Sequence, residues 1–367
     1  MRGDALDVVV VSALRTPITK AGRGAFKETT PDDLLRAVLS AVCERGGVPP
    51  AAVEDIAVGN VQLPGAYAGP ARMAMLRAGF PASVPLYTVN RQCSSGLQAV
   101  ANIATSIRAG HISVGIAAGV ESMSAGGGVA NPKAELPPAN WDDIQSNQLA
   151  RDCLVPMGVT AENVAERYGV SRREQDELAV RSHARALAAQ EAGKFDDEIV
   201  PVMTTQTAAD GTTARVLVRR DEGPRKGTTL EKLSKLRTVF KKDGTVTAGT
   251  SSQVSDGAAA VLLMSRGRAA ELGLRPLGVL RAYQVVGVPP DEMGVGPAVA
   301  IPAALKAARL SSRDIDVYEI NEAFASQAPA ILGRRWPAIL GRRPPLNQRA
   351  RRRRRTVRAS LTYPTPS

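Results

Sequence analysis

PLYTVNRQCSSGLQAVANIATSIRAGHISVGIAAGVES, residues 85–122, holds the pattern that decides the fold. PLYTVN at 85–90 reads as a strand, 94–109 as a helix, and HISVGIAAGVES at 111–122 as a second strand. Strand, helix and strand in succession are the unit of an α/β layered domain. The same alternation runs upstream. DVVVVSAL at 7–14 is a continuous β-branched run, as expected of a strand buried on both faces. Thr30-Pro31-Asp32-Asp33 supplies an N-cap, a first-turn proline and acids at the positive helix end. Leu34, Leu35, Val38 and Val42 then share one helical face until Gly46-Gly47 stops the helix. DIAVGNV at 55–61 is a further strand.

Downstream the pattern lapses from about 123 to 158, where GGGVANPKAELPPANWDD reads as an excursion from the core. Two helices follow. The second starts at Ser171, with Glu174 completing a capping box, and contains His183 as an ordinary helix residue. Strand-like segments return at 258–265, 277–288 and 316–324, with a helix around 298–308.

The chain of 367 residues carries a net charge of +12. Eleven arginines lie in 329–367 without an acid or a lysine, and taking them away leaves +1 for residues 1–328. The basic character therefore belongs to a tail. Its composition predicts disorder, and its arginine run lacks the interleaved aromatics of a nucleic-acid site. No apolar run approaches the roughly 18 residues of a membrane span. Three cysteines at 43, 93 and 153 fit neither a disulfide framework nor a zinc pattern.

Cys93 follows a strand and opens a helix. Backbone N–H groups and the helix dipole there are expected to lower the thiol pKa and favour the nucleophilic thiolate. Ser94, Ser95 and Gly96 leave room for a substrate. A small buried hydrophobe is the bland alternative for Cys93, and the structural reading is favoured for Cys43 and Cys153.

VNRQCSSGLQAV at 89–100 resembles the nucleophile segment of the thiolase family. RTPI at 15–18, GVESMS at 119–124, PMGVTAENVAERYG at 156–169, DEGPRKGTTLEKLSKL at 221–236, TAGTSSQVSDGAAA at 247–260 and NEAFASQ at 321–327 resemble it in the same order. ARDCLVPMGVTAENVAERYG is most similar to the peroxisomal branch that acts in fatty-acid β-oxidation.

The resemblance implies a layered α/β/α/β/α fold. Its N-terminal half, 1–122 and 247–270, is complete; 123–246 is an inserted loop domain; 271–328 is a partial C-terminal half; 329–367 is a disordered tail. It implies thiolytic cleavage of a 3-ketoacyl-CoA through an acyl-cysteine on Cys93, with coenzyme A as co-substrate and no resident cofactor or metal. Asn321 matches an oxyanion-hole asparagine. Met157, Arg225 and Ser252 match residues that contact CoA. A homodimer through the N-terminal half and a peroxisomal location are implied as well, with cytoplasm the alternative.

The family also uses a Gly-His-Pro histidine to activate the cysteine and a second cysteine in a Cys-x-Gly motif. No histidine follows His183 and no cysteine follows Cys153. The expectation is an aberrant, truncated C-terminus, from a shifted reading frame or a mis-spliced end, and impaired turnover, or else an inactive acyl-CoA-binding or thiolase-pairing protein.

Overall fold

The computed structural model describes residues 5–126, 139–208 and 210–335. Among the described residues nine strands form: β1 (Val8–Arg15), β2 (Thr19–Lys20), β3 (Asp55–Gly59), β4 (Leu86–Val89), β5 (Val114–Ser122), β6 (Val202–Thr207), β7 (Thr213–Val218), β8 (Ser255–Ser265) and β9 (Gly278–Val279). The α-helices are α1 (Pro31–Gly46), α2 (Ala68–Arg77), α3 (Ser95–Arg108), α4 (Trp141–Ser146), α5 (Gln148–Asp152), α6 (Met157–Arg167), α7 (Arg172–Glu191), α8 (Leu230–Ser234), α9 (Arg266–Glu271) and α10 (Gly296–Ala308).

Seven strands make one mixed sheet in the order β4-β3-β5-β8-β1-β9, with β2 added beside β8. β3 runs parallel to β4 and β5; β8 is antiparallel to β5 and β1. β8 is buried along all 11 residues, as a central strand covered on both faces must be. Side chains alternate across it. Leu262 packs with Ile56 and Ile116 toward Leu34, Leu35, Val38 and Leu39 of α1, while Leu263 packs with Ala57 and Ala117 toward Ala99, Ile103 and Ile107 of α3. Each fully buried Leu or Ile contributes roughly 2 kcal/mol. Thus α1 and α2 cover one face and α3 the other.

The expected excursion is more ordered than its composition suggests. Asn140 and Asn147 cap α4 and α5 by accepting from the Asp143 and Ala150 amides, and β6 pairs with β7 in a separate hairpin. Part of the excursion, 127–138, lies outside the described residues. α7 carries the full capping box at Ser171 and Glu174.

α/β/α layers form around the seven-stranded sheet, and the described part of the C-terminal half adds only β9 to it. Segments 277–288 and 316–324 read as strands, yet only Gly278 and Val279 of the first pair as β9, with Val10 and Val9, and only an isolated bridge between Phe324 and Ser251 involves the second. A strand persists only where its N–H and C=O groups find a ladder partner. Beside β9 the Leu277 and Leu280 amides donate to Val10 O and Val8 O, while Leu277, Val285, Val286 and Val317 are exposed.

The expected tail also starts later. Pro329–Arg335 forms a π-helical turn, with Ala330 and Ile331 buried in the same cores as Val295 and Ala298. The remainder, 336–367, lies outside the described residues.

Candidate active site

Cys93 sits in the turn between β4 and α3, one residue before the N-cap Ser94. Side chains join the Ser94 and Ser95 amides, which donate to Arg91 O and Gln92 O, in holding the turn. The Asn90 side chain accepts from the Gln92 amide at 2.9 Å and donates to Val61 O at 3.2 Å. Ser95 Oγ accepts from the Arg91 amide at 2.9 Å, and Ser94 Oγ donates to Arg91 O at 2.8 Å. Gln92 is left with φ of 48°, in the left-handed region that costs a non-glycine residue about 1–2 kcal/mol. Such strain beside a half-buried thiol presents the sulfur at the helix end rather than within it.

The electrostatics reverse the expectation from position. Burial pushes the Cys93 thiol up to about 11; a backbone N–H opposes this, and the Glu121 carboxylate adds to it. Desolvation of the thiolate outweighs the field of the helix end. Glu121 is itself raised by burial, although it accepts from the Val61 and Gln62 amides and from Asn60 Nδ2. Nothing in the local sequence announced Glu121; β3–β5 pairing brings its strand end beside the Cys93 turn. Cys43 is buried and pushed up to about 12, in keeping with a packing role. Cys153 is exposed, so the packing role expected of it does not hold.

Met157, Ser252 and the segment that follows Asn321 come together by a different route. Met157, the first residue of α6, packs against Ala161, Val246, Ala323, Phe324 and Phe240. The Ser252 amide donates to Ala323 O at 2.8 Å, and the Ala325 amide to Thr250 O at 2.8 Å, which lays the 250–252 segment against the one that follows Asn321. Ser326 Oγ donates to Ala161 O at 3.1 Å and ties both to α6. Arg225 is exposed beside α7. Its amide donates to His183 Nδ1 at 3.3 Å, and the adjacent Ser182 Oγ donates to Glu322 at 2.5 Å. His183 is therefore more than an ordinary helix residue, because it props the Arg225 segment. Burial, the Arg225 charge and, in the opposite sense, Glu322 leave its pKa lowered.

Topology sets the Cys93 turn and the Ser252 segment at one sheet edge. β4, β3 and β5 are parallel and β8 is antiparallel to β5, so the turn after β4 and the segment before β8 leave the same edge. Three strand spacings separate them, about 14 Å. The carboxyl ends of parallel strands are where α/β sheets bind ligands. Neither histidine is a hydrogen-bond partner of Cys93, and no cluster of metal-ligating side chains occurs among the described residues. No helix among them is long and apolar enough to cross a membrane.

Residues 8–267 match the family model described as thiolase, N-terminal domain, and 274–333 match thiolase, C-terminal domain. The chain is 57% identical over 329 residues to the peroxisomal 3-ketoacyl-CoA thiolase B of Rattus norvegicus, covering 89% of this chain and 76% of that one. The peroxisomal 3-ketoacyl-CoA thiolase of Homo sapiens is 56% identical over the same shares. The dimeric peroxisomal thiolase of Saccharomyces cerevisiae superposes with a TM-score of 0.82 at 43% identity, over 91% of this chain and 84% of that one.

Proposed function

Because this chain belongs to the thiolase family, we propose that it is an acetyl-CoA C-acyltransferase acting on 3-ketoacyl-CoA, with Cys93 as the acyl acceptor. The observation that carries the reading is the strained Cys93 turn at the same sheet edge as Ser252. The Cys93 thiolate attacks the 3-keto carbon. The bond between C2 and C3 breaks, its electron pair stays on C2, and the proton given up by the Cys93 thiol ends on C2 to complete acetyl-CoA. A second CoA thiol then attacks the acyl-cysteine, releasing the shortened acyl-CoA and returning the proton to the cysteine. Asn321 serves the oxyanion, Met157 and Ser252 line the pantetheine path, and Arg225 lies toward the nucleotide end.

A homodimer and a peroxisomal location complete the reading. The dimeric yeast relative and the one-sided pairing of β4 at the end of the sheet support the first. The names of the rat and human relatives support the second.

A second reading has its own support. The Cys93 thiol is held protonated by burial, and neither of the two histidines in the 367 residues bonds to it. Absence of a general base lowers rate by about 10²–10⁴. The 367-residue chain then binds acyl-CoA but turns over slowly, alone or paired with another thiolase subunit. Steady-state thiolysis of acetoacetyl-CoA with free CoA separates the two readings. Turnover within tenfold of a full-length peroxisomal thiolase supports the first; CoA binding with turnover far below that supports the second. Failure to bind CoA at all contradicts both.

A further inference from the structure

We propose that Glu162 is a positioning residue that sets the spacing between Met157, Ser252 and Asn321, and so the geometry of the channel for the pantetheine arm. This rests on the reading that those residues contact CoA.

Glu162 lies on the inner stripe of α6 with Gly158, Ala161 and Ala165, and it is 3% exposed. A carboxylate buried among apolar neighbours is costly unless charge or hydrogen bonds compensate it. Here no cation is ion-paired with it among the described residues; Lys241 pairs with Glu166 instead, at 2.7 Å. The compensation is a cradle of donors from one loop. The Thr245 amide reaches both carboxylate oxygens at 3.0 and 2.8 Å, the Val246 amide reaches Oε1 at 2.9 Å, and Thr245 Oγ1 reaches Oε2 at 3.1 Å. Gly244 lets the loop come this close, since a β-carbon there would collide with Oε1.

The grip continues along the chain. Thr247 and Thr250 close the next turn through the Thr247 amide and Thr250 Oγ1 at 2.9 Å. Ser252 and Thr250 then pair with Ala323 and Ala325. The carbonyl of Ala161, the neighbour of Glu162, accepts from Ser326 at 3.1 Å. Two consecutive residues of α6 therefore hold both segments, and Met157 begins the same helix. An acceptor-only group is required at 162, because a glutamine would turn an N–H₂ toward backbone N–H donors.

The test uses the full chain and CoA itself. Iodoacetamide alkylation of Cys93, followed by peptide mass spectrometry, gives the intrinsic thiol rate; its suppression by increasing CoA gives an apparent Kd. In Glu162→Gln the apparent Kd should rise by about tenfold, the loss expected for a charge-assisted cradle, while the rate without CoA stays within twofold. Hydrogen exchange at the Thr245 and Val246 amides should accelerate in the same variant. Equal CoA protection in the wild type and Glu162→Gln overturns the proposal. If Glu162→Gln does not fold, Thr245→Val removes the hydroxyl donor, together with the acceptor of Gln175 Nε2, and should still weaken CoA protection about threefold; unchanged protection there overturns the proposal. A wild-type Cys93 that CoA does not protect overturns this inference together with the CoA reading, so the two failures are told apart.

Discussion

Gly59 and Gly96 meet backbone to backbone: a β-carbon on Gly59 would lie 2.5 Å from the Gly96 amide nitrogen and equally close to the Ser95 carbonyl carbon. The end of β3 thereby abuts the first turn of α3, directly behind Cys93. Neither neighbouring atom belongs to a side chain that could rotate away. Gly59→Ala should destabilise the fold by about 1–3 kcal/mol, the range for overpacking a core. It should also change the alkylation rate of Cys93 by shifting the helix start. Urea unfolding and timed alkylation check both effects, and wild-type values in each would show that the contact relaxes freely.

Thiol reactivity should follow pH with a definite sign. Burial holds the Cys93 thiol up to about 11, so the thiolate fraction rises tenfold per pH unit below that value. The alkylation rate should climb through neutral and mildly alkaline pH without a plateau near pH 8. Glu121→Gln removes a negative charge that disfavours the thiolate, so its profile should move to lower pH. Cys43, buried and held up to about 12, should stay unmodified until the protein unfolds. A Cys93 midpoint below the free-thiol value of about 8.5 would mean that the helix end, not burial, governs the site.

Arg15 binds the loop region to the sheet. Its guanidinium meets Asp221 in a fork at 2.7 and 2.9 Å, reaches Glu198 at 2.8 Å, and lies over the Phe195 ring at 5.5 Å. Lysine cannot reproduce a fork with two arms. Arg15→Lys should reduce stability by about 1–3 kcal/mol and Arg15→Ala by more, because the half-buried Asp221 carboxylate then keeps the Ile18 amide but loses its cation. Limited proteolysis should cut the 193–222 region faster in both variants. Equal cutting rates would indicate that the packing of α7 alone holds this region.

Much of the core was legible because its signals are local. The face formed by Leu34, Leu35, Val38 and Val42 of α1 is buried as its spacing predicts, and Ser171 and Glu174 close the capping box they spell. The segments 277–288 and 316–324 carry equally strand-like residues, but strand formation depends on a partner elsewhere in the chain. The site divides in the same way. The position of Cys93 before a helix could be read directly. The sign of its pKa shift could not, since burial and the approach of Glu121, 28 residues on, arise only from packing. Glu162 did leave a trace: an acid on the stripe of Gly158, Ala161 and Ala165 has no reason to face inward unless donors await it.

The central claim, that Cys93 is the acyl acceptor, is tested most directly by acyl transfer that needs no carbon–carbon cleavage. The purified chain is incubated with excess acetyl-CoA in alkaline buffer, quenched in acid and mapped by peptide mass spectrometry. The Cys93 thiolate should take the acetyl group and release CoA, giving one acetyl group on the peptide spanning 92–108 and none there in Cys93→Ser. Acetylation confined to the exposed Cys153, or none on Cys93 while CoA still binds, would contradict the account.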